Sequence, residues 1–418
     1  MREHQASMVG KWIRMDKSVA FYDCGKGRRK EGGGEKVKVL EKEAGSEAER
    51  EVDKEKEKEK KWEGEEDREV ERISWFLGPI EKAIQVSILF FSLFSIFTFF
   101  LSILLGALLY FSTNEGLVAS GRELPGIPVM LFLVFQTYLP IKATAGSIFA
   151  ILLSFFTLCL LIAWAGPQES LQKVLKRKNL RLFDLSRNWL LFLPLLGSLL
   201  LSAEVMLTLL QDALGLPSGS ITITNRLEFL LDLSYAAVIE EVGFRLSPLG
   251  ATTAVLVALE APLSPKPEGR MPRGLDLLFL AFLYPDGAKK KASLKNVAED
   301  GWLRGIHIIE FLVSLYSAIA FGMAHYIFGA GWGIGKVTTS SIVGFALALV
   351  YLRYGIEASI LIHWYFNYYL YIFEIAPEFY PFLNPLATII GALILFFGVA
   401  ILVGLGSLLG KKFLRKIP

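Results

Sequence analysis

Long apolar runs with few charges recur from about residue 76 onwards, and they constrain the fold of this chain more than any other feature. A run of about 18 or more apolar residues is long enough to cross the hydrocarbon core of a bilayer as a helix. Charged residues make up 20% of the chain, but much of that charge lies before Trp75. The sequence therefore predicts an all-α, polytopic membrane helix bundle of about eight transmembrane helices with a polar N-terminal tail.

The predicted spans are separated by short polar or glycine-containing connections. We predict spans at 84–112, 143–165, 188–210, 226–247, 307–328, 337–354, 357–375 and 385–409. Two further apolar segments, 127–140 and 274–284, are too short to cross a bilayer, so we expect them to be interfacial or re-entrant.

Four regions follow from this pattern. Residues 1–75 form a charged tail in which Asp53–Lys60 alternates acidic and basic residues. We expect it to be disordered or a single solvated helix, and we assign it no chemistry. Residues 76–187 contain the N-terminal membrane helices, 188–375 form the core, and 376–418 form a C-terminal helix with a basic tail. Within the core, 256–305 reads as an insertion or loop region because it is rich in proline, glycine and lysine.

The orientation is predicted from the connection 167–187, which is rich in lysine and arginine. Basic loops beside spans face the cytoplasm in most membrane proteins. Eight crossings then place both termini in the cytoplasm, and we expect a multi-pass protein of the plasma membrane. Because the basic residues cluster beside apolar segments, the partner they indicate is the lipid bilayer and not nucleic acid.

The fourth predicted span contains charged residues, which cost about 2.5–3.5 kcal/mol each at mid-bilayer on insertion scales. Glu241 and Arg245 are four residues apart and can pair on one helix face. Glu240 points about 100° away from that face, so this pair leaves it without a partner on its own helix. One interpretation is a structural glutamate bonded to a neighbouring helix. Pro248 is expected to end or bend the helix.

Two histidines lie inside other apolar runs, His325 and His363. A single buried histidine is more often a satisfied core residue than a catalyst. Here, however, His363 and Asn367 share one helix face, as do Phe321 and His325, so the phenyl ring can pack against the imidazole. Two intramembrane histidines, an amide and an unpaired glutamate together indicate a reactive site at mid-membrane.

These segments resemble the signature of the type II CAAX prenyl endopeptidase family, also called the CPBP or ABI family of intramembrane proteases. That family carries the motifs EExxxR, FxxxH and HxxxN, in this order, on successive membrane helices. Here the motifs begin at Glu240, Phe321 and His363. The resemblance covers about 188–375. It implies a glutamate-dependent endopeptidase that cleaves membrane-anchored or lipidated substrates, with prenylated CAAX proteins as one class.

The resemblance also implies roles for individual residues. Glu240 and His325 would activate a water, while His363 and Asn367 would bind the developing oxyanion. Supporting roles are implied for Glu241, Arg245 and Phe321. The chain departs from the family where Leu246 replaces the glycine that commonly follows the motif arginine, and where 256–305 lengthens the gap between the first two motifs.

Three alternatives stay open at this point. We expect no metal and no other cofactor, and the HExxH spacing of zinc peptidases is absent. A zinc site made of one glutamate and two histidines is nevertheless geometrically feasible. The fold would also suit a family relative that binds or assembles proteins without cleaving them. A proton-coupled transporter would likewise place glutamate and histidine at mid-membrane.

Overall fold

The computed structural model describes residues 82–133, 135–166, 169–177, 182–263, 274–329 and 331–414. The charged tail predicted at 1–75 lies outside the described residues. All described residues belong to one structural unit, Glu81–Pro418.

Helices dominate the described residues. In chain order they are α1 (Lys82–Ser112), α2 (Asn114–Ser120), α3 (Ala145–Ala165), α4 (Leu171–Leu175), α5 (Leu182–Leu185), α6 (Trp189–Ala213), α7 (Arg226–Glu241), α8 (Ala251–Glu260), α9 (Gly274–Leu283), α10 (Pro285–Lys291), α11 (Val297–Asp300), α12 (Trp302–Gly305), α13 (Ile308–Phe328), α14 (Gly335–Tyr354), α15 (Ile356–Trp364), α16 (Leu370–Phe379) and α17 (Asn384–Leu414).

Seven helices in the described part of the chain are long and apolar enough to cross a membrane. They are Lys82–Ser112, Ala145–Ala165, Trp189–Ala213, Arg226–Leu263, Ile308–Phe328, Gly335–Tyr354 and Pro381–Leu408. The mostly helical membrane bundle predicted from the sequence is therefore confirmed. The span predicted at 357–375 is not among the seven. Its helix, 356–379, carries polar side chains that reduce its apolar character, namely Glu357, His363, Asn367 and Glu374.

A π-helical segment, Val242–Gly250, joins α7 to α8 without a break. The predicted span boundary at residue 247 is therefore wrong, because the helix continues through Pro248 to Leu263. Proline has no backbone N–H, and in a π-helical segment it leaves the carbonyl five residues earlier without its donor. That carbonyl belongs to Gly243, and it accepts instead from the Leu133 N–H at 3.1 Å and from the Ser247 hydroxyl at 3.0 Å. Tertiary packing thus replaces the missing helix bond and lets the span continue.

A second π-helical segment, Tyr365–Tyr369, joins α15 to α16. It lies in a cluster of fully buried aromatic side chains that includes Trp364, Tyr365, Tyr368 and Tyr369. The Tyr368 hydroxyl donates to the Ser102 carbonyl of α1 at 2.8 Å. Because this cluster packs against several helices, it fixes the rotation of the helix that carries His363 and Asn367.

The segment predicted as interfacial or re-entrant at 127–140 forms a β-hairpin, the main exception to an all-α description. Strand β2 (Ile127–Leu131) pairs antiparallel with β3 (Phe135–Leu139). The short strands β1 (Glu123–Leu124) and β4 (Ala143–Thr144) pair at its base. The hairpin packs along the helix 226–263. The Tyr235 hydroxyl donates to the Pro128 carbonyl, and the Leu133 N–H donates to the Gly243 carbonyl at 3.1 Å.

Candidate active site

Glu241 is the centre of a fully buried polar network. Its Oε1 accepts a hydrogen bond from Arg245 Nη1 at 2.9 Å, and both side chains are 0% exposed. Oε1 also lies 2.8 Å from His363 Nδ1, and Oε2 accepts from the Ser359 hydroxyl. The pairing of Glu241 with Arg245, predicted from their spacing, is confirmed. Glu241 also joins the helix 226–263 to α15.

Arg245 is held from three sides. Besides Glu241, it contacts α14 through a bond from Nη2 to the Gly344 carbonyl at 3.2 Å. Its guanidinium lies over the Phe321 ring of α13 at 4.4 Å from the ring centre. A buried guanidinium needs both charge pairing and donors placed on acceptors. Arg245 therefore joins the helix of the first motif to α13, which carries the second, and to α14.

The side chain of Glu240 has different surroundings from that of Glu241, the next residue in the chain. Its side chain is 25% exposed, and Oε2 lies 3.6 Å from His363 Nε2, beyond hydrogen-bond distance. That Oε2 atom is buried and has no hydrogen-bond partner among the described residues. An acceptor left unsatisfied in this way costs about 1–3 kcal/mol, so a native structure keeps it only for a reason.

His325 projects from the C-terminal part of α13. Its Nδ1 lies 2.9 Å from the Phe321 carbonyl, and its ring packs edge-on against the Phe321 ring at 4.6 Å. The packing of Phe321 against His325 that the four-residue spacing predicts is confirmed. A carbonyl oxygen only accepts, so Nδ1 carries the proton and a neutral His325 presents a lone pair at Nε2.

His363 lies between the two glutamates. Glu241 Oε1 binds its Nδ1, and Glu240 Oε2 faces its Nε2. The buried ring also packs edge-on against Phe321 at 5.8 Å. A carboxylate paired with an arginine can only accept a hydrogen bond, so Nδ1 must carry a proton. Nε2 can then donate only when the ring is the doubly protonated imidazolium.

Asn367 is half-buried in the π-helical segment, one turn beyond His363. Its Nδ2 donates to the Leu233 carbonyl of α7 at 3.4 Å. This bond connects the third-motif helix to the helix of Glu240, as expected for an amide that joins two helices. The structure therefore brings all the predicted site residues into one region between α7, α13 and α15.

Two residues of this site were not predicted from the sequence. Ser359 contacts Glu241, and Ser317 contacts the Phe244 carbonyl. Ser359 lies one turn before His363 on the same helix face, so the four-residue spacing was a usable signal for it. Ser317 had no comparable signal, because its partner is a backbone carbonyl on another helix.

No group of three or more His, Cys, Asp or Glu side chains in the described ranges is arranged to hold a metal ion.

A comparison with models of protein families gives a match within the membrane-spanning part of the chain. Residues 222–369 match a family model described as type II CAAX prenyl endopeptidase Rce1-like. This segment is a domain of that endopeptidase family. All seven site residues predicted from the sequence lie within the endopeptidase domain, and membership in a family of CAAX prenyl endopeptidases implies an intramembrane hydrolase. No curated protein and no solved structure matches the chain.

Proposed function

We propose that this chain is an intramembrane endopeptidase in which Glu240 and His325 activate a water for attack on a peptide bond. The observation that carries the proposal is the buried Glu240 Oε2, which has no hydrogen-bond partner among the described residues. A general base needs such a free acceptor directed at the proton that it removes. Glu241, whose oxygens are occupied by Arg245, Ser359 and His363, is unsuited to that role.

The proton positions on the two histidines support different roles, in which His325 accepts a hydrogen bond and His363 donates one. A neutral His325 offers a lone pair at Nε2, which can accept a hydrogen bond from the attacking water. As the water oxygen bonds to the carbonyl carbon, its proton passes to Glu240, which then returns it to the leaving amine. This sequence requires Glu240 to be ionised before attack.

The oxyanion formed by attack needs donors that are already in place. We assign this role to His363 and Asn367. Because Glu241 holds Nδ1 of His363, donation from Nε2 requires the imidazolium, whose two N–H groups would face Glu241 and Glu240. Asn367 would have to release the Leu233 carbonyl, and the long 3.4 Å bond between them makes that exchange inexpensive.

The substrate class that we propose is a membrane-anchored peptide, including prenylated proteins with a C-terminal CAAX sequence. Support comes from the family match at 222–369 and from the position of Glu240 within a candidate span. We further propose that the connection 167–187 and both termini face the cytoplasm of the plasma membrane, because that connection is rich in lysine and arginine.

The decisive experiment compares a prenylated CAAX peptide with its unprenylated twin, using protein reconstituted in vesicles. We expect cleavage by the native chain and none by Glu240→Gln, because an amide cannot take the proton. Glu228→Gln is the matched control. It changes a glutamate on the same helix whose partner is Arg122, and it should leave turnover unchanged.

Two outcomes would contradict the proposal. Cleavage by Glu240→Gln at the native rate would remove Glu240 from the base role. A folded native chain that cleaves neither peptide, nor any other membrane-anchored peptide, would favour a relative that binds proteins without cleaving them. A preference for the prenylated peptide would identify the lipid as part of the recognised substrate.

A further inference from the structure

A cavity of about 440 Å³ lies where the ends of α3 and α14 meet α9 and α10. Its volume is in the range of sites that bind small molecules. The walls are amphipathic, and the side chains that give them this character are Ile162, Leu280, Tyr284, Lys291, Arg353 and Tyr354. None of these belongs to the three motifs, so the cavity is separate from the candidate active site.

The charged part of the lining is positive. Arg353 pairs with Asp286 at 3.0 Å, and its guanidinium lies 5.0 Å from the centre of the Tyr354 ring. Lys291 lines the same cavity and makes no ion pair with any other described residue. Asp286 offsets the charge of Arg353, so Lys291 supplies the net positive charge. The chemistry of the lining therefore favours an anion.

The cavity is built by a segment that is firmly held. Lys289, almost fully buried, donates to Glu310 at 2.8 Å and to the Gly305 carbonyl at 2.7 Å. Asp286 accepts from the backbone N–H groups of Val297 and Ala298, the latter at 3.1 Å. Breaking a buried ion pair is costly, so these contacts hold α10 against α13 and α14. The cavity is thus preformed and does not depend on a ligand for its shape.

The position of the cavity suits a lipid. Two candidate spans, Ala145–Ala165 and Gly335–Tyr354, end at its rim, which places it at the depth where hydrocarbon meets head groups. The connection that follows α3 is the basic stretch 167–187, and basic loops face the cytoplasmic leaflet. That leaflet carries the anionic lipids, and basic pockets between membrane helices bind their head groups.

We propose that this cavity binds the phosphodiester head group of an anionic phospholipid. Lys291 and Arg353 contact the phosphate, and Ile162 and Leu280 contact the first part of an acyl chain. The bound lipid connects α3 to α10 and α14. This site goes beyond the proposed peptidase function and does not depend on it.

Thermal unfolding of the detergent-solubilised full chain, titrated with lipid, tests the proposal. Phosphatidylglycerol should raise the unfolding temperature progressively, because a ligand that binds only the folded state stabilises it. Phosphatidylcholine should have a much smaller effect. Glycerol phosphate and inorganic phosphate form a separate arm: if either matches phosphatidylglycerol at equal concentration, the site binds free phosphate and the lipid assignment is wrong.

Lys291→Gln and Lys290→Gln form a matched pair of variants. They remove the same charge from adjacent positions, but Lys290 pairs with Glu299 and does not line the cavity. We expect Lys291→Gln to require about tenfold more phosphatidylglycerol for the same shift, as loss of one charge-assisted hydrogen bond predicts. Lys290→Gln should behave as the native chain. Equal weakening in both variants, or in neither, would overturn the proposal.

A third variant tests the cavity without changing its charge. Ala165 lines the cavity and is exposed, so Ala165→Trp can place a large ring in the space without displacing core side chains. The stabilisation by phosphatidylglycerol should then be reduced while the unfolding temperature without lipid stays near the native value. Undiminished stabilisation in this variant would show that the lipid binds elsewhere.

Discussion

Removal of the charge of Glu241 should destabilise the protein strongly, and the effect should depend on Arg245. Glu241 and Arg245 are both 0% exposed and lie 2.9 Å apart. Breaking a buried pair by removing one partner leaves the other charge uncompensated, which costs about 3–5 kcal/mol. At about 2–4 °C per kcal/mol for a large domain, Glu241→Gln should lower the unfolding temperature by roughly 6–20 °C.

The companion change is Arg245→Met. Methionine keeps contact with the Phe321 ring but carries no charge, so Glu241→Gln combined with Arg245→Met leaves neither charge of this pair behind. A buried pair replaced by uncharged groups is often close to neutral in stability. The double variant should therefore recover much of the unfolding temperature lost by Glu241→Gln. Such a coupling between the two changes is what a double-mutant cycle measures.

A control cycle uses Arg122 and Glu228, which pair at 2.5 Å but are 42% and 34% exposed. Exposed pairs contribute about 0–1 kcal/mol, so changes there should shift the unfolding temperature by only a few degrees. The assay is intrinsic tryptophan fluorescence during heating of purified protein in detergent. If the losses from Glu241→Gln and Arg245→Met simply add in the double variant, the two charges are not coupled and the reasoning fails.

Three further predictions concern the site and its surroundings. Asn367→Ala should lower kcat by about 10²–10³ with little change in KM, if the amide stabilises the oxyanion; a lower unfolding temperature with native kcat would show that it only joins helices. Chelators should not inhibit, and metal analysis finding one zinc per chain, with activity restored by its return, would refute the glutamate mechanism. Gly243→Ala should lower the unfolding temperature because a methyl group there would lie 2.7 Å from Met130 Cγ; Met130→Ala in the same chain should restore it, and failure to do so would place the clash elsewhere.

The predictions that succeeded relied on relations within one helix. The four-residue spacing was enough to pair Glu241 with Arg245 and to pack Phe321 against His325, as the structure shows. The 3.6-residue period of the helix also placed Glu240 on a different face from Glu241 and Arg245. These inferences need only the geometry of an α-helix, which the apolar runs already indicate.

The features that were missed depend on contacts between distant segments. Whether Pro248 ends a helix depends on Leu133, a residue far from it in the chain whose N–H donates to the Gly243 carbonyl. At the turn of the hairpin, Phe132 and Leu133 have φ angles of 47° and 70°, a backbone conformation that bulky side chains avoid. The N–H of Phe132 donates to the Ser247 hydroxyl at 2.8 Å, which helps to hold that turn. No local sequence pattern in either segment predicts these hydrogen bonds from distant residues.

The π-helical segment Val242–Gly250 makes the winding of the helix as important as residue identity in this part of the protein. A π-helical turn closes with bonds five residues apart and an α-helical turn with bonds four apart, so a segment of this kind holds an additional residue. If the residues between Glu241 and Ala251 wound as a regular α-helix with none removed, the additional residue would rotate α8 by about 100° relative to Glu240. Thr253 would then face away from Glu310, whose Oε1 it reaches at 2.9 Å. The π-helical winding thus keeps α8 beside the buried Lys289–Glu310 pair, a contact that the motif residues alone do not secure.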